Sequence, residues 1–133
     1  MDDILKELSL HRLSRAREVR EEAELLFSEG HYCSANNRCY YSVYYAMKSI
    51  MALESKDFKR HKDVVAYFNQ NYVKTEMFSR DLGRKISKLQ MIREKSDYSD
   101  FYFATKEEAE SQMDAADDML EQTERYLKGK GIL

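Results

Sequence analysis

The sequence predicts an all-α protein, an antiparallel up-and-down bundle of four to five helices. Three observations carry that expectation. The chain has no proline and only 4 glycines in 133 residues, too little turn chemistry for a sheet of short strands. Apolar residues recur at spacings of three and four over long stretches. Hydrophobic residues make up 43% of the chain and charged residues 35%, enough to bury one side of each helix and coat the other. The length fits one domain over residues 1–133 around one core.

Leu5, Leu8, Ala16, Val19, Ala23 and Leu26 place a first helix over residues 4–28. Gly30 then breaks the pattern and marks a tight helix–helix turn. A second helix runs from Tyr32 to about Glu54, with Ala35, Cys39, Val43, Ala46, Ile50 and Leu53 as its core stripe. The polar stretch 55–59 leads to a shorter third helix over residues 60–71, which offers Val64, Val65, Tyr67 and Phe68 for burial. Residues 75–95 carry Met77, Phe78, Leu82, Ile86, Leu89 and Ile92 in helical register, with Gly83 as a local cost of about 1 kcal/mol. After Lys95 an aromatic stretch with Tyr98, Phe101, Tyr102 and Phe103 lacks a helical stripe and reads as a loop. Thr105 followed by Glu108 is a capping-box signature for a last helix, which continues to Leu127 and stops at Gly129.

Several chemistries are excluded by what the chain lacks. No apolar run approaches the ~18 residues of a membrane span, and the first residues do not form a signal peptide, so a cytoplasmic location is expected. Two cysteines, Cys33 and Cys39, do not make a disulfide framework. No Glu-x-x-His exists for a carboxylate-bridged di-metal bundle, and three histidines spread along the chain are poor material for zinc. Phosphate-loop and nucleophile-elbow signatures are also missing, so neither metal nor cofactor is expected. The formal net charge of −2 conceals a segment of +6 over residues 56–95 and one of −6 over residues 96–133. A basic middle can attract a polyanion, dock against the acidic tail of this or another chain, or stand as a solvated face.

The second helix carries an unusual load: Asn37, Arg38, Cys39, Tyr40, Tyr41, Ser42, Val43, Tyr44, Tyr45. Arg38 and Tyr45 are seven residues apart, offset by only ~20° after two turns, with Tyr41 between them. That polar-aromatic stripe is distinct from the core stripe. A guanidinium forks two donors toward a phosphate or carboxylate, and phenols add hydrogen bonds and stacking faces. The same residues would equally serve as an ion pair to a neighbouring helix and an aromatic bundle or dimer seam.

The run from Asn37 to Ala46 closely resembles the signature helix of the HEPN domain, in the small stand-alone branch called UPF0332. The likeness extends to Arg60-His61, to Phe68 with Tyr72-Val73-Lys74, to Arg93-Glu94-Lys95-Ser96-Asp97-Tyr98, and to Thr105–Ala109, and so covers residues 5–127. It implies a helical bundle that forms a homodimer around a shared cleft and binds RNA or a nucleotide. Active members resemble one another in using an Arg and a His separated by four to six residues as a metal-independent endoribonuclease. Many are toxins paired with a nucleotidyltransferase antitoxin. Carried onto this chain, Arg38 takes the Arg position and Tyr45 stands where His is expected. A neutral phenol of pKa about 10 does not replace an imidazole of about 6.5 as acid and base. His61, at the start of the third helix, is then either the substitute acid/base or a capping residue. Asn37, Tyr41, Arg93, Asp97 and Tyr98 are the candidate substrate-binding residues. Asp97 either pairs with Arg93 or orients Arg38. A non-catalytic protein-interaction module is the alternative reading.

Overall fold

The computed structural model describes residues 2–133 and consists of five α-helices: α1 Asp3–Ser28, α2 Tyr32–Ala52, α3 His61–Phe68, α4 Arg80–Tyr98 and α5 Lys106–Gly129. Among the described residues there is no strand. Helix α2 is the central post: it packs along α1 and also meets α3, α4 and α5. Its predicted stripe is buried from Ala35 through Cys39, Val43 and Ala46 to Ile50, with Leu53 half-buried at its end. Small residues let α1 approach closely, and the buried Ser42 hydroxyl donates to the Ala16 carbonyl at 2.8 Å.

The α1–α2 turn closes as Gly30 takes φ +79°, a conformation that costs glycine nothing. Its N–H reaches the Phe27 carbonyl, and that of His31 reaches Leu26, the paired bonds of a Schellman motif. Helix α5 ends at Gly129 as expected, and the same motif follows it with Gly131 in the left-handed position. Ile132 thereby folds back onto Leu13 and Leu127. The capping box at Thr105 is half made. Its hydroxyl accepts from the Glu108 N–H at 3.1 Å, while the Glu108 carboxylate turns inward to Tyr102 and to the buried Asn36.

Four local expectations are corrected. Early in α1 the buried residues are Ser9 and Leu13, whereas Leu5 is half-buried and Leu8 exposed, because burial of the helix begins only at Ser9. The third helix widens after Phe68 into a π-helical turn, Asn69–Val73. Helix α4 starts at Arg80 instead of residue 75, since Glu76 adopts φ +66° and Ser79 caps the Leu82 N–H at 3.1 Å. At its other end α4 continues to Tyr98, so Asp97 and Tyr98 are helical rather than part of the loop. Gly83 has a packing reason: a Cβ there would stand 2.8 Å from Val73 Cγ1, so the π-turn and α4 meet where no side chain intervenes.

Candidate functional site

Tyr40 and Tyr44 lie one turn apart on α2 and together form one side of a slot that receives the first side chain of α3. The His61 ring stacks on Tyr44 at 4.1 Å between centroids and 8° between planes. It also stacks on Tyr40 at 5.8 Å and 11°, and meets Tyr41 edge-on at 5.5 Å. The segment leading into α3 is pinned from outside. Asp57 pairs with Lys48 of α2 at 3.3 Å and with Arg12 of α1 at 3.4 Å, and Arg12 also donates to the Lys48 carbonyl.

The slot sets protonation. Burial pushes the Tyr40 phenol up to about 12, so it keeps its proton. Burial lowers the His61 pKa from its ordinary 6.5, and the positive charges of Arg93 and Lys48 push the same way, against a weaker opposite pull from Asp97. The imidazole is therefore neutral at pH 7. The Tyr40 hydroxyl and His61 Nδ1 are 3.1 Å apart. With the Tyr40 hydroxyl assigned as the donor to Nδ1, the ring proton is on Nε2. His61 thus rests as a neutral hydrogen-bond donor.

Two guanidinium groups from different helices converge on the same ring. Arg38 of α2 lies 5.2 Å from the Tyr41 ring centroid, and Arg93 of α4 lies 5.6 Å from it. Arg93 also covers Tyr40 at 4.9 Å. Asn37 holds Arg38 through two donors, at 3.2 and 2.8 Å, and Glu22 approaches Arg38 at 3.4 Å. Asp97 pairs with Arg93 at 3.5 Å. That is the i,i+4 pair, one of the two alternatives for Asp97.

Of the candidates read from the sequence, Arg38, Tyr41, His61 and Arg93 come together, with Asn37 and Asp97 as their supports. Tyr98 lines the cavity beside His61. Tyr45 stands at the margin. Its ring is 6.5 Å from Tyr41, and the Arg15 guanidinium lies 5.6 Å from its centroid. Phe101 and Phe103 are exposed, whereas Tyr102 is half-buried against Glu108. Sequence reasoning gave no role to Tyr40 and Tyr44 as one side of the His61 slot. Their spacing of four was the available signal. A larger cavity of 610 Å³ lies between the π-turn and α4, lined by Asn69, Lys74, Gly83 and Arg84 among others, with no aromatic or imidazole group. Among the described residues no group of three or more His, Cys, Asp or Glu is arranged to hold a metal ion, and no helix is long and apolar enough to cross a membrane.

Comparison with known proteins adds an independent line. The HEPN domain model matches residues 9–126. A "UPF0332 protein" of Thermotoga maritima is 28% identical over 114 residues, covering 86% of each chain. A Methanocaldococcus jannaschii protein named "Putative toxin" is 29% identical over 121 residues, 91% of this chain and 82% of its own. A second protein of that name and organism is 29% identical over 113 residues, 85% of this chain and 84% of its own.

Proposed function

From the premise that this chain belongs to the HEPN domain family, we propose that it is an RNA- or nucleotide-binding protein of the toxin type, whose phosphate-binding centre is the Arg38–Tyr41–His61–Arg93 cluster. One observation carries the reading: two guanidinium groups on separate helices and a neutral imidazole donor all converge on one phenol ring. Arg38 and Arg93 supply charge and planar donor forks for a phosphate. His61 adds a hydrogen bond from Nε2, Tyr41 forms the floor, and Tyr45 stands at its margin. A neutral donor is well suited to hold a phosphate but is not poised to take a proton from a 2′-hydroxyl. Tyr45, whose neighbour is Arg15 of α1, supplies no second imidazole. The protein is accordingly a weak or inactive metal-independent endoribonuclease.

In this reading residues 1–133 act as one HEPN-like unit, and the partner is a nucleotidyltransferase antitoxin. The two relatives named as toxins support that pairing. Phe101 and Phe103, 96% and 83% exposed, give the protein an apolar edge on which a homodimer would close. Light scattering at tens of micromolar, on the wild type and on Phe101→Ser with Phe103→Ser, checks the dimer. The acidic tail is met within the chain mainly by α1, and the basic segment reaches it through Lys85 alone among the pairs to α5. Among the acids of α5, Asp117, Asp118 and Glu124 are already taken by Arg20, Lys85 and Arg17.

The test is fluorescence anisotropy with labelled single-stranded RNA, beside a cleavage assay in chelator. Wild-type protein should bind with a steep salt dependence, and Arg38→Ala should weaken binding at least tenfold while cleavage stays slow. Affinity indifferent to both salt and Arg38 would overturn the reading.

A further inference from the structure

The last turns of α4 carry three different chemistries at intervals of four residues: the Gln90 amide, the Glu94 carboxylate and the Tyr98 ring. That spacing places them on one face. All three line a cavity of 350 Å³ whose opposite wall is the start of α3, with Arg60 and His61. Lys59, Lys62 and Arg93 complete a cationic rim. Two features distinguish this cavity from an ordinary charged surface. Glu94 has no ion pair among the described residues, although four Lys and Arg side chains line the same cavity. Arg60 and Arg93 turn instead to Asp63 and Asp97. The Tyr98 ring is 86% exposed at the rim and stacks on no other aromatic group of the described chain.

We infer that this cavity is a base subsite for single-stranded RNA and that it selects guanine; the inference rests on the phosphate-binding reading above. The volume falls within the range of small-ligand sites. Single-stranded RNA is read by stacking bases on aromatic rings and by hydrogen bonds to their Watson–Crick edges. Tyr98 supplies the stacking face, which any base can use. Glu94 supplies the selection. Guanine alone among the four bases presents two adjacent N–H donors, N1–H and N2–H, and a carboxylate accepts both. Gln90, one turn back, can donate to the guanine O6 beside them. Uracil offers one N–H between two carbonyl oxygens, which the carboxylate repels. Adenine and cytosine each offer a single amino group next to an acceptor. The flanking phosphate then falls to the rim, where Arg60, Arg93 and the His61 Nε2–H stand.

Anisotropy with fluorescein-labelled RNA heptamers tests this at low salt. The set is seven uridines, and the same heptamer with guanosine, adenosine or inosine at its centre. The guanosine heptamer should bind about tenfold more tightly than the uridine heptamer, the size of a well-made paired contact to a base edge. Inosine, which lacks the N2–H, should fall between them. Glu94→Gln should bring the guanosine-to-uridine ratio within twofold. It should also strengthen the uridine heptamer, because a negative charge leaves a basic rim. Tyr98→Ala should weaken all four heptamers several-fold. A wild type without preference whose binding still depends on Arg93, or a preference that survives Glu94→Gln, overturns the guanine subsite and leaves the phosphate centre standing. Failure of every heptamer to bind overturns both.

Discussion

Replacing Arg93 with Met separates a binding role from a structural one. The favourable contacts of the guanidinium are the faces of Tyr40 and Tyr41, a long hydrogen bond from Nη2 to the Tyr41 hydroxyl at 3.5 Å, and an i,i+4 pair with Asp97. A cation on an aromatic face contributes about 0.5–1 kcal/mol at a partly wet site, and the helical ion pair about 0.3–0.5 kcal/mol. Against this, Arg93 Nε is buried with no hydrogen-bond partner, since the Asp97 oxygen at 3.5 Å does not meet hydrogen-bond geometry. Leaving such a donor unsatisfied costs about 1–3 kcal/mol. The two sides nearly cancel, and a Met side chain keeps the apolar stem against the rings. Stability in urea should therefore stay within about 1 kcal/mol of wild type. Two other quantities should move. The His61 titration, followed by NMR, should rise toward 6.5 as a positive neighbour disappears. RNA affinity should drop at least tenfold, and the salt slope should shrink by about one unit. A stability loss beyond about 3 kcal/mol would make Arg93 a structural member. An unmoved His61 titration would show that the two groups are not coupled.

Other outcomes follow from neighbouring features. Because His61 is lowered in the folded state, the unfolded chain takes its proton first. The contribution of His61 is whole above about 6.5 and is lost as pH falls below that toward the lower folded value, so the stability gap between wild type and His61→Gln should shrink on acidification through that window. Gly83→Ala gains about 1 kcal/mol of helix propensity but sets a methyl 2.8 Å from Val73 Cγ1; a net loss of about 1–2 kcal/mol is expected in urea, recovered when Val73→Ala is added. Tyr45→His should raise metal-free cleavage by up to about a hundredfold, since a general acid/base is worth ~10²–10⁴; brisk wild-type cleavage abolished by His61→Ala would instead give that role to His61. Thr105→Ala should cost about 1 kcal/mol by removing the cap on the Glu108 N–H, again read by denaturation.

Periodicity and caps made most of the bundle legible in the sequence. The Ala35–Ile50 stripe, the Gly30 turn and the Thr105 cap each rest on residues within one turn of each other, and local rules suffice there. The misread segments depend on distant partners. Residues 75–79 keep a helical register, yet Glu76 takes a left-handed conformation while Gln122 of α5 brackets Ser79. Gly83 reads as a propensity defect until the π-turn is seen against it. At the site, the stripe of Arg38 and Tyr41 was readable from spacing alone. The convergence of Arg93 from α4 was not, and the His61 slot depends on a loop held by Asp57 to two other helices. Charge totals were a poor guide, because much of the acidic tail is neutralised inside the same molecule.

The absent side chain at residue 83 has a mechanical consequence for the far end of its helix. Helix α4 packs along α2 and α5 through Leu82, Ile86, Leu89 and Ile92, and near its first residues it also rests on the π-turn at Val73. Arg93 lies ten residues beyond Gly83, about 15 Å along the axis at the usual helical rise. A tilt of roughly 5° at that contact would swing Arg93 by about 1.3 Å, and a misplacement of about 1 Å is enough to impair a positioned group severely. Tyr98 lies further out and would move more. The aim of the groups on α4 thus depends in part on the thickness of one contact remote from any ligand, and a substitution around Val73 and Gly83 that tilted the helix against α2 and α5 would act on the site as leverage without touching it.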